Sequence, residues 1–237
     1  MTDDGEMVSR SVGAGAVGWA VAAAVLMAGG IAGAFWIAPD DVEGDIQKLL
    51  YIHVPIALVS LLAFGVACVA SIIQLRTRRT DPYDDVVVVS IGLGLLFVVL
   101  TIITGSIWAR GFWGTWWRWD DPRLVTYLII GLIYGAFFVL RSSTEEAQRA
   151  RFSAVFATIA FVTVPLSFYA VRQAREAFHP VALGSDGLHM DGGIAVWLGV
   201  CLVAVCVLFV ALLKLELIQR DTARRLQKLR AALEESS

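Results

Sequence analysis

Six long apolar runs alternate with short polar stretches along the chain. A helix needs about 20 apolar residues to cross a bilayer, and each run is long enough to do so, the fourth only just. The runs are Val12–Ala38, His53–Leu75, Val86–Trp108, Leu124–Leu140, Phe152–Val171 and Ile194–Lys214. The pattern predicts an all-α fold, a polytopic membrane bundle of six transmembrane helices.

The polar residues after Lys214 keep a helical pattern. Apolar positions recur there at helical spacing among many charges, at Leu215, Ile218, Ala223, Leu226, Leu229 and Leu233. This predicts that the last span continues as an amphipathic helix, dividing the chain into a six-span domain, 1–214, and a tail, 215–237. The tail has two alternative roles, anchoring to anionic headgroups or docking a partner subunit. Pro165, inside the fifth run, predicts a kink in that helix.

Composition supports a membrane protein and excludes some functions. The chain of 237 residues is 58% hydrophobic and 17% charged, whereas soluble domains carry about 25% charged residues. A net charge of −2 gives no reason to expect a nucleic-acid partner. The sequence has no phosphate-binding loop, so any energy for transport comes from a separate ATPase subunit.

Arginine and lysine concentrate in alternate loops and in the tail, a bias that marks the cytoplasmic side. These residues are Arg76, Arg78, Arg79, Arg141, Arg149, Arg151, Arg220, Arg224, Arg225, Lys228 and Arg230. The bias predicts that both termini are cytoplasmic. All three histidines and a cluster of tryptophans then lie on the outer side.

That cluster is the string WARGFWGTWWRW, which holds five of the eight tryptophans. Gly111 and Gly114 are expected to break the helix, giving a tryptophan-rich outer loop over 108–123. An interfacial aromatic belt is the simpler explanation of tryptophans in a membrane protein. A belt spreads over all spans, however, so the concentration in one loop favours a docking surface for a large flat aromatic ligand.

Histidines on the same side suggest a metal or a metalloporphyrin. The candidates are His53, His179 and His189. Haem suits a tryptophan surface, takes two axial histidines, and has propionates that need cations. The outer cations are Arg110, Arg118, Arg123, Arg172 and Arg175.

Zinc remains an alternative because carboxylates also lie on the outer side. They are Asp40, Asp41, Glu43, Asp45, Asp120, Asp121, Asp186 and Asp191. Asp120 and Asp121 have a structural explanation as caps of the fourth span. The alternative is that Asp120 holds a tryptophan N–H or a basic partner residue.

The string WGTWWRWDDPRL resembles the tryptophan-rich signature of the WWD haem-handling superfamily. Its matching residues are Trp113, Gly114, Thr115, Trp116, Trp117, Trp119 and Asp120, with Arg123 and Leu124 matching after one inserted residue. The string YIHVP, Tyr51–Pro55, is similar to the first outer histidine segment of that superfamily. With six spans, the chain resembles the cytochrome c maturation protein C (haem exporter protein C) family over nearly its whole length.

The resemblance implies a subunit, not an enzyme, that holds haem b at the outer face of the plasma or inner membrane. His53 and His179 would be the axial ligands. His189 stays an alternative second ligand, because the string AREAFHP lacks the two tryptophans usual before that histidine. Arg118, where the family has an apolar residue, would add a contact to a propionate or to a partner.

The implied partners are an extracytoplasmic haem chaperone that receives the haem, ABC transporter permease and ATPase subunits, and a small single-span membrane subunit. Two other functions are considered beside this delivery to c-type cytochromes. One is a haem lyase or cytochrome c synthase, but such enzymes tend to be longer and to have extra histidines within the membrane. The other is a b-type electron-transfer cytochrome, which usually buries paired histidines in its spans.

Overall fold

The computed structural model describes the backbone of residues 3–39, 44–173, 183–184, 187–188 and 190–235. The α-helices are α1 (Asp3–Trp36), α2 (Leu50–Thr77), α3 (Tyr83–Trp113), α4 (Pro122–Ser142), α5 (Glu146–Ala160), α6 (Thr163–Gln173) and α7 (Gly192–Glu235). A short 3-10 helix, Gly44–Leu49, leads into α2. Two-residue strands, β1 (Leu183–Gly184) and β2 (Gly187–Leu188), pair antiparallel.

Six segments of the described chain are helical, long and apolar enough to span a membrane, with α5 and α6 together forming the fifth. The all-α architecture of six membrane helices is thereby confirmed. Only a helix satisfies its own backbone hydrogen bonds without water, and this is why long apolar runs without alternation take this form. The helix α7 continues without interruption past Lys214, as the periodicity of the tail predicts.

Pro165 interrupts the helix of the fifth span, between α5 and α6. Proline has no N–H to donate to the carbonyl four residues back, and its ring clashes with that carbonyl. For Pro165 this is the carbonyl of Phe161, and the helix is interrupted at residues 161–162. Tighter bonds replace the regular ladder there, from Val162 N to the Ile159 carbonyl and from Val164 N to the Phe161 carbonyl, both at 3.1 Å.

Helices α2 and α3 form an antiparallel hairpin at the centre of the bundle. Phe64 of α2 is fully buried and stacks on Tyr134 of α4, with ring centroids 3.6 Å apart and the planes within 3°. A second buried cluster joins Val59 and Phe97 of the hairpin to Phe209 of α7. One end of this bundle holds His53 and Trp113, and we call it the tryptophan end.

Ion pairs fasten the opposite end, which we call the arginine end. Arg141 of α4 donates to both carboxylate oxygens of Asp84, at 2.9 and 2.7 Å, and also to the Ser153 hydroxyl. Arg224 of α7 donates to Asp85 at the start of α3. The helix α7 is therefore held against the bundle as far as Arg224, and its later apolar residues Leu226, Leu229 and Leu233 are exposed.

Gly94 of α3 gives a test of the central packing. A methyl group there would lie 2.5 Å from Cε1 of Phe64, a ring that is stacked on Tyr134. At Gly92, two residues earlier, a methyl group would meet only Phe138 Cζ, at 3.7 Å. We expect Gly94→Ala to be less stable than Gly92→Ala by about 1–3 kcal/mol, the usual cost of overpacking, in thermal unfolding of the detergent-solubilised protein. Equal melting temperatures would contradict this packing.

Candidate functional site

The tryptophan loop is shorter than the sequence suggests. The helix α3 continues through Trp108 to Trp113, and α4 begins at Pro122, so the loop covers 114–121 instead of 108–123. Gly114 ends α3 in the left-handed conformation, with φ of 75°, as glycine commonly does after a helix. Gly111 does not break the helix, contrary to expectation. Its missing side chain instead makes room for Ile46, whose Cδ1 would lie 2.7 Å from an added methyl group.

The tryptophans form two packed groups at this end. On α3, Trp108 stacks with Phe112, at 4.8 Å between centroids, and meets Trp113 edge-on at 5.1 Å. In the loop, Trp117 and Trp119 pack edge-on at 5.7 Å. Trp116 is 59% exposed and Trp119 74% exposed, so the loop presents indole surface outward.

Two arginines brace this surface. The guanidinium of Arg110 lies 6.0 Å from the centroid of the Trp116 ring and donates to the Gly114 carbonyl. That of Arg118 lies 5.8 Å from the centroid of Trp113. Both are cation–π distances, so positive charge and aromatic surface are interleaved in the loop.

Arg118 also forms a bidentate ion pair with Asp120. Its Nε and Nη2 donate to the two carboxylate oxygens at 3.1 and 2.6 Å. The hydrogen bond from Arg118 lowers the pKa of Asp120, and the same bond raises the pKa of Arg118. Because the pKa of Asp120 lies below its usual value, the pair is fully charged at neutral pH and is lost only as pH falls through that lowered pKa.

The two adjacent aspartates have different roles. Asp121 is 1% exposed and caps α4, accepting from the backbone N–H of Arg123 at 2.8 Å and of Leu124 at 3.4 Å. The expected capping role is therefore confirmed for Asp121. It is wrong for Asp120, whose carboxylate binds Arg118 of the same loop. Trp117 has a buried indole N–H that finds no acceptor in the described part of the chain.

His53 is the fourth residue of α2 and lies against α3. Its Nδ1 is 3.0 Å from the Thr104 hydroxyl. A methyl group on Gly105 would lie 2.8 Å from His53 Cε1, so the imidazole occupies the space beside that glycine. Trp108 is one turn further along the same face of α3. Pro55 lies in the second turn of α2, because the helix begins at Leu50.

A second polar contact ties α4 to this hairpin. The Tyr127 hydroxyl is 2.6 Å from that of Ser60 on α2 and 3.3 Å from that of Thr101 on α3. Tyr127 is five residues after the start of α4, so this contact fixes where the loop emerges relative to His53. These hydroxyl residues and Thr104 were not among the site residues predicted from the sequence. Polar side chains within predicted spans are the signal that marks them.

Several predicted site residues lie outside the described residues: His179, His189, Arg175, Asp40, Asp41, Glu43 and Asp186. Arg172 is in α6, and Arg123 is in the first turn of α4, partly buried. Of the other carboxylates, Asp45 pairs with Lys48 at 2.7 Å, and Asp191 accepts from Gly193 N at 2.7 Å. No three His, Cys, Asp or Glu side chains are grouped for a metal ion within the described ranges.

Comparison with known proteins identifies the family of this chain. The family described as "Heme exporter protein C" matches residues 6–232 of the chain. This chain belongs to that family. It is 32% identical to a protein named Heme exporter protein C of Rhodobacter capsulatus, over 89% of this chain and 88% of that protein.

Further relatives support the assignment. A Heme exporter protein C of Bradyrhizobium diazoefficiens is 32% identical over 83% of this chain and 76% of its own length. A protein of Marchantia polymorpha, named as a cytochrome c biosynthesis ccmC-like mitochondrial protein, is 29% identical over 69% of this chain and 70% of that protein. The family membership therefore rests on nearly the whole chain and not on the tryptophan string alone.

The two aspartates give a matched test of the loop. We expect Asp121→Ala to lower the stability of the protein by about 1 kcal/mol, the usual cost of losing an N-cap, and Asp121→Asn to retain it. Asp120→Ala removes only an exposed ion pair, so its melting temperature should equal that of the parent protein. The order of thermal unfolding temperatures checks this. A larger loss in Asp120→Ala than in Asp121→Ala would contradict the assigned roles.

Proposed function

We propose that this protein is a membrane subunit that holds haem b at the extracytoplasmic surface and delivers it to a haem chaperone during maturation of c-type cytochromes. The membrane is the plasma or inner membrane. The observation that carries the proposal is the position of His53. Its imidazole lies against Thr104 and Gly105 of α3, about one turn before Trp108 on that helix, at the end of the bundle where Trp116 and Trp119 are exposed.

The residues at the tryptophan end fit a haem. A porphyrin has broad apolar faces, and the exposed indoles of Trp116 and Trp119 offer matching aromatic surface. Arg110 and Arg118 lie within this surface and supply cations for propionates. His53 supplies an imidazole, the axial ligand type that haem iron accepts.

We propose His179 as the second axial ligand, with His189 as its alternative. The histidine–proline pair at residues 179–180, which resembles the second histidine segment of the family, favours His179. The excess of arginine in the alternate loops and the tail supports the placement of both termini in the cytoplasm. The tryptophan end then faces the extracytoplasmic side.

The iron, when bound, supplies the coordination sites that histidines occupy, and the chain supplies binding, orientation and a partly open surface. The loop over 114–121 is fixed by the Asp121 cap and by Tyr127 through α4, so the exposed indoles keep one arrangement relative to His53. A haem on this outward surface would keep an edge accessible to a chaperone. A relay needs this accessibility, because a fully enclosed haem could not be passed on.

The partners follow from the same role. We propose that the protein assembles with ABC transporter permease and ATPase subunits and with a small single-span subunit, since its sequence has no nucleotide-binding motif.

We also propose that this chain is a delivery subunit and not an enzyme. His53 is the one histidine among the residues that the structure describes. It lies in the first turns of α2 and not deep in a span. That position does not favour a synthase or a b-type cytochrome.

The ligand assignment is tested with haem titrations of the purified protein in nanodiscs. The parent protein should give the absorption spectrum of a haem with two histidine ligands. We expect His53→Ala and His179→Ala each to weaken that spectrum, because each variant leaves one axial position without its imidazole. His189→Ala is the matched control and should bind as the parent protein does.

An unchanged spectrum in both His53→Ala and His179→Ala would contradict the proposal. Loss of the two-histidine spectrum in His189→Ala, with none in His179→Ala, would identify His189 as the second ligand.

Co-expression with an apocytochrome separates delivery from synthesis. A delivery subunit yields no holocytochrome without the chaperone, whereas a synthase does.

A further inference from the structure

Three hydroxyl groups of α2 and α3 each lie within hydrogen-bond distance of a carbonyl of their own helix. Ser60 donates to the Ala57 carbonyl at 2.7 Å, Thr101 to the Phe97 carbonyl at 2.8 Å, and Thr104 to the Leu100 carbonyl at 2.9 Å. Such bonds to a carbonyl one turn back are common for serine and threonine in helices. Each hydroxyl oxygen therefore faces its neighbours as an acceptor.

These bonds favour one direction for the hydrogen bond between Thr104 and His53. A threonine hydroxyl has one proton, and Thr104 directs it to its own helix, toward the Leu100 carbonyl at 2.9 Å and the Thr101 carbonyl at 3.2 Å. No second proton remains for His53 Nδ1, 3.0 Å away. In this arrangement the imidazole is the donor, with its proton on Nδ1.

We propose that Thr104 is a positioning residue that holds His53, when its imidazole is neutral, in the Nδ1–H tautomer. The two ring nitrogens have opposite roles in a neutral imidazole, so a proton on Nδ1 places the lone pair on Nε2. A lone pair is what a metal ion coordinates. Nε2 is then the atom of His53 that would coordinate the iron of the proposed haem.

Gly105 adds a second restraint on the same ring. The imidazole edge fits against this glycine so closely that an added methyl group would lie 2.8 Å from Cε1 and 3.4 Å from Nδ1. Thr104 and Gly105 are consecutive, so one short segment of α3 fixes both the tautomer and the position of the ring. Partners of this kind orient metal-binding histidines and raise their basicity.

The tautomer can be read without haem. The chain has three histidines, so the double variant His179→Ala/His189→Ala leaves His53 as the single source of ¹⁵N-histidine NMR signals. We expect the protonated nitrogen to be Nδ1 in this background and in Thr104→Ser, which keeps the hydroxyl. Thr104→Val, of similar shape but without an acceptor, should lose that preference. A proton on Nε2 in the double variant, or no change in Thr104→Val, would overturn the inference.

The role of Thr104 in haem ligation rests on the proposed function and is tested separately, by measuring haem affinity. We expect Thr104→Val to bind haem about 10-fold more weakly, at the lower end of the usual loss for such a partner, and Thr104→Ser to restore the affinity. The reduction potential of the bound haem should rise in Thr104→Val, because the imidazole donates less electron density. Melting temperatures of the haem-free variants show whether each one folds.

Gly105→Ala displaces the ring while keeping Thr104. It should weaken haem binding as well, whereas Gly135→Ala, with no atom within 4 Å of the added methyl group, should not. Parent-like affinity and potential in Thr104→Val would overturn the positioning role. If haem binding does not depend on His53 at all, His53 is not an axial ligand, and the NMR result still decides the tautomer on its own.

Discussion

The packing of α2 against α3 is the constraint on which the rest of the structure depends. Without Cβ atoms at Gly94 and Gly105, the side chains of Phe64 and His53 lie directly against the α3 backbone. At the middle of the hairpin this allows the Phe64–Tyr134 stack, which brings in α4. At its end it brings the imidazole of His53 to the Thr104 hydroxyl. One packing geometry therefore serves both stability and the candidate site.

The same hairpin determines the position of the tryptophan loop. It leaves α3 at Gly114 and enters α4 under the Asp121 cap, and Tyr127 fastens α4 back to both helices of the hairpin. In a membrane the hydrophobic effect does not favour one helix–helix contact over contact with lipid, so packing and hydrogen bonds between helices decide the arrangement. The few hydroxyl contacts near His53 are therefore specific determinants of where the exposed indoles lie.

Much of the fold could be predicted from the sequence because the bilayer leaves few choices. Long apolar runs must be helices, and Pro165 must interrupt one of them, as it does at residues 161–162. The ends of helices were less predictable. Gly111 was expected to end α3, yet it stays helical because Ile46 packs in the space it leaves. Which of two adjacent aspartates caps α4 also depended on the backbone path, which the sequence pattern does not contain.

The hydroxyl contacts of the candidate site lay beyond sequence reasoning for a related reason. The roles of Thr104 and Tyr127 depend on how each helix is rotated about its axis, and hydropathy is almost insensitive to that rotation. The tryptophan string and YIHVP, by contrast, were recognisable as short strings, and the family they indicate is the one that matches residues 6–232. His179 lies outside the described residues, so its place opposite His53 stays a prediction.

The most direct test of the central claim is an experimental structure of the haem-loaded protein in nanodiscs, at a resolution that shows the axial ligands. We expect iron coordinated by Nε2 of His53, with the porphyrin against the exposed face of the loop over 114–121. Iron held by other ligands, or a haem located between the spans toward the arginine end, would contradict it.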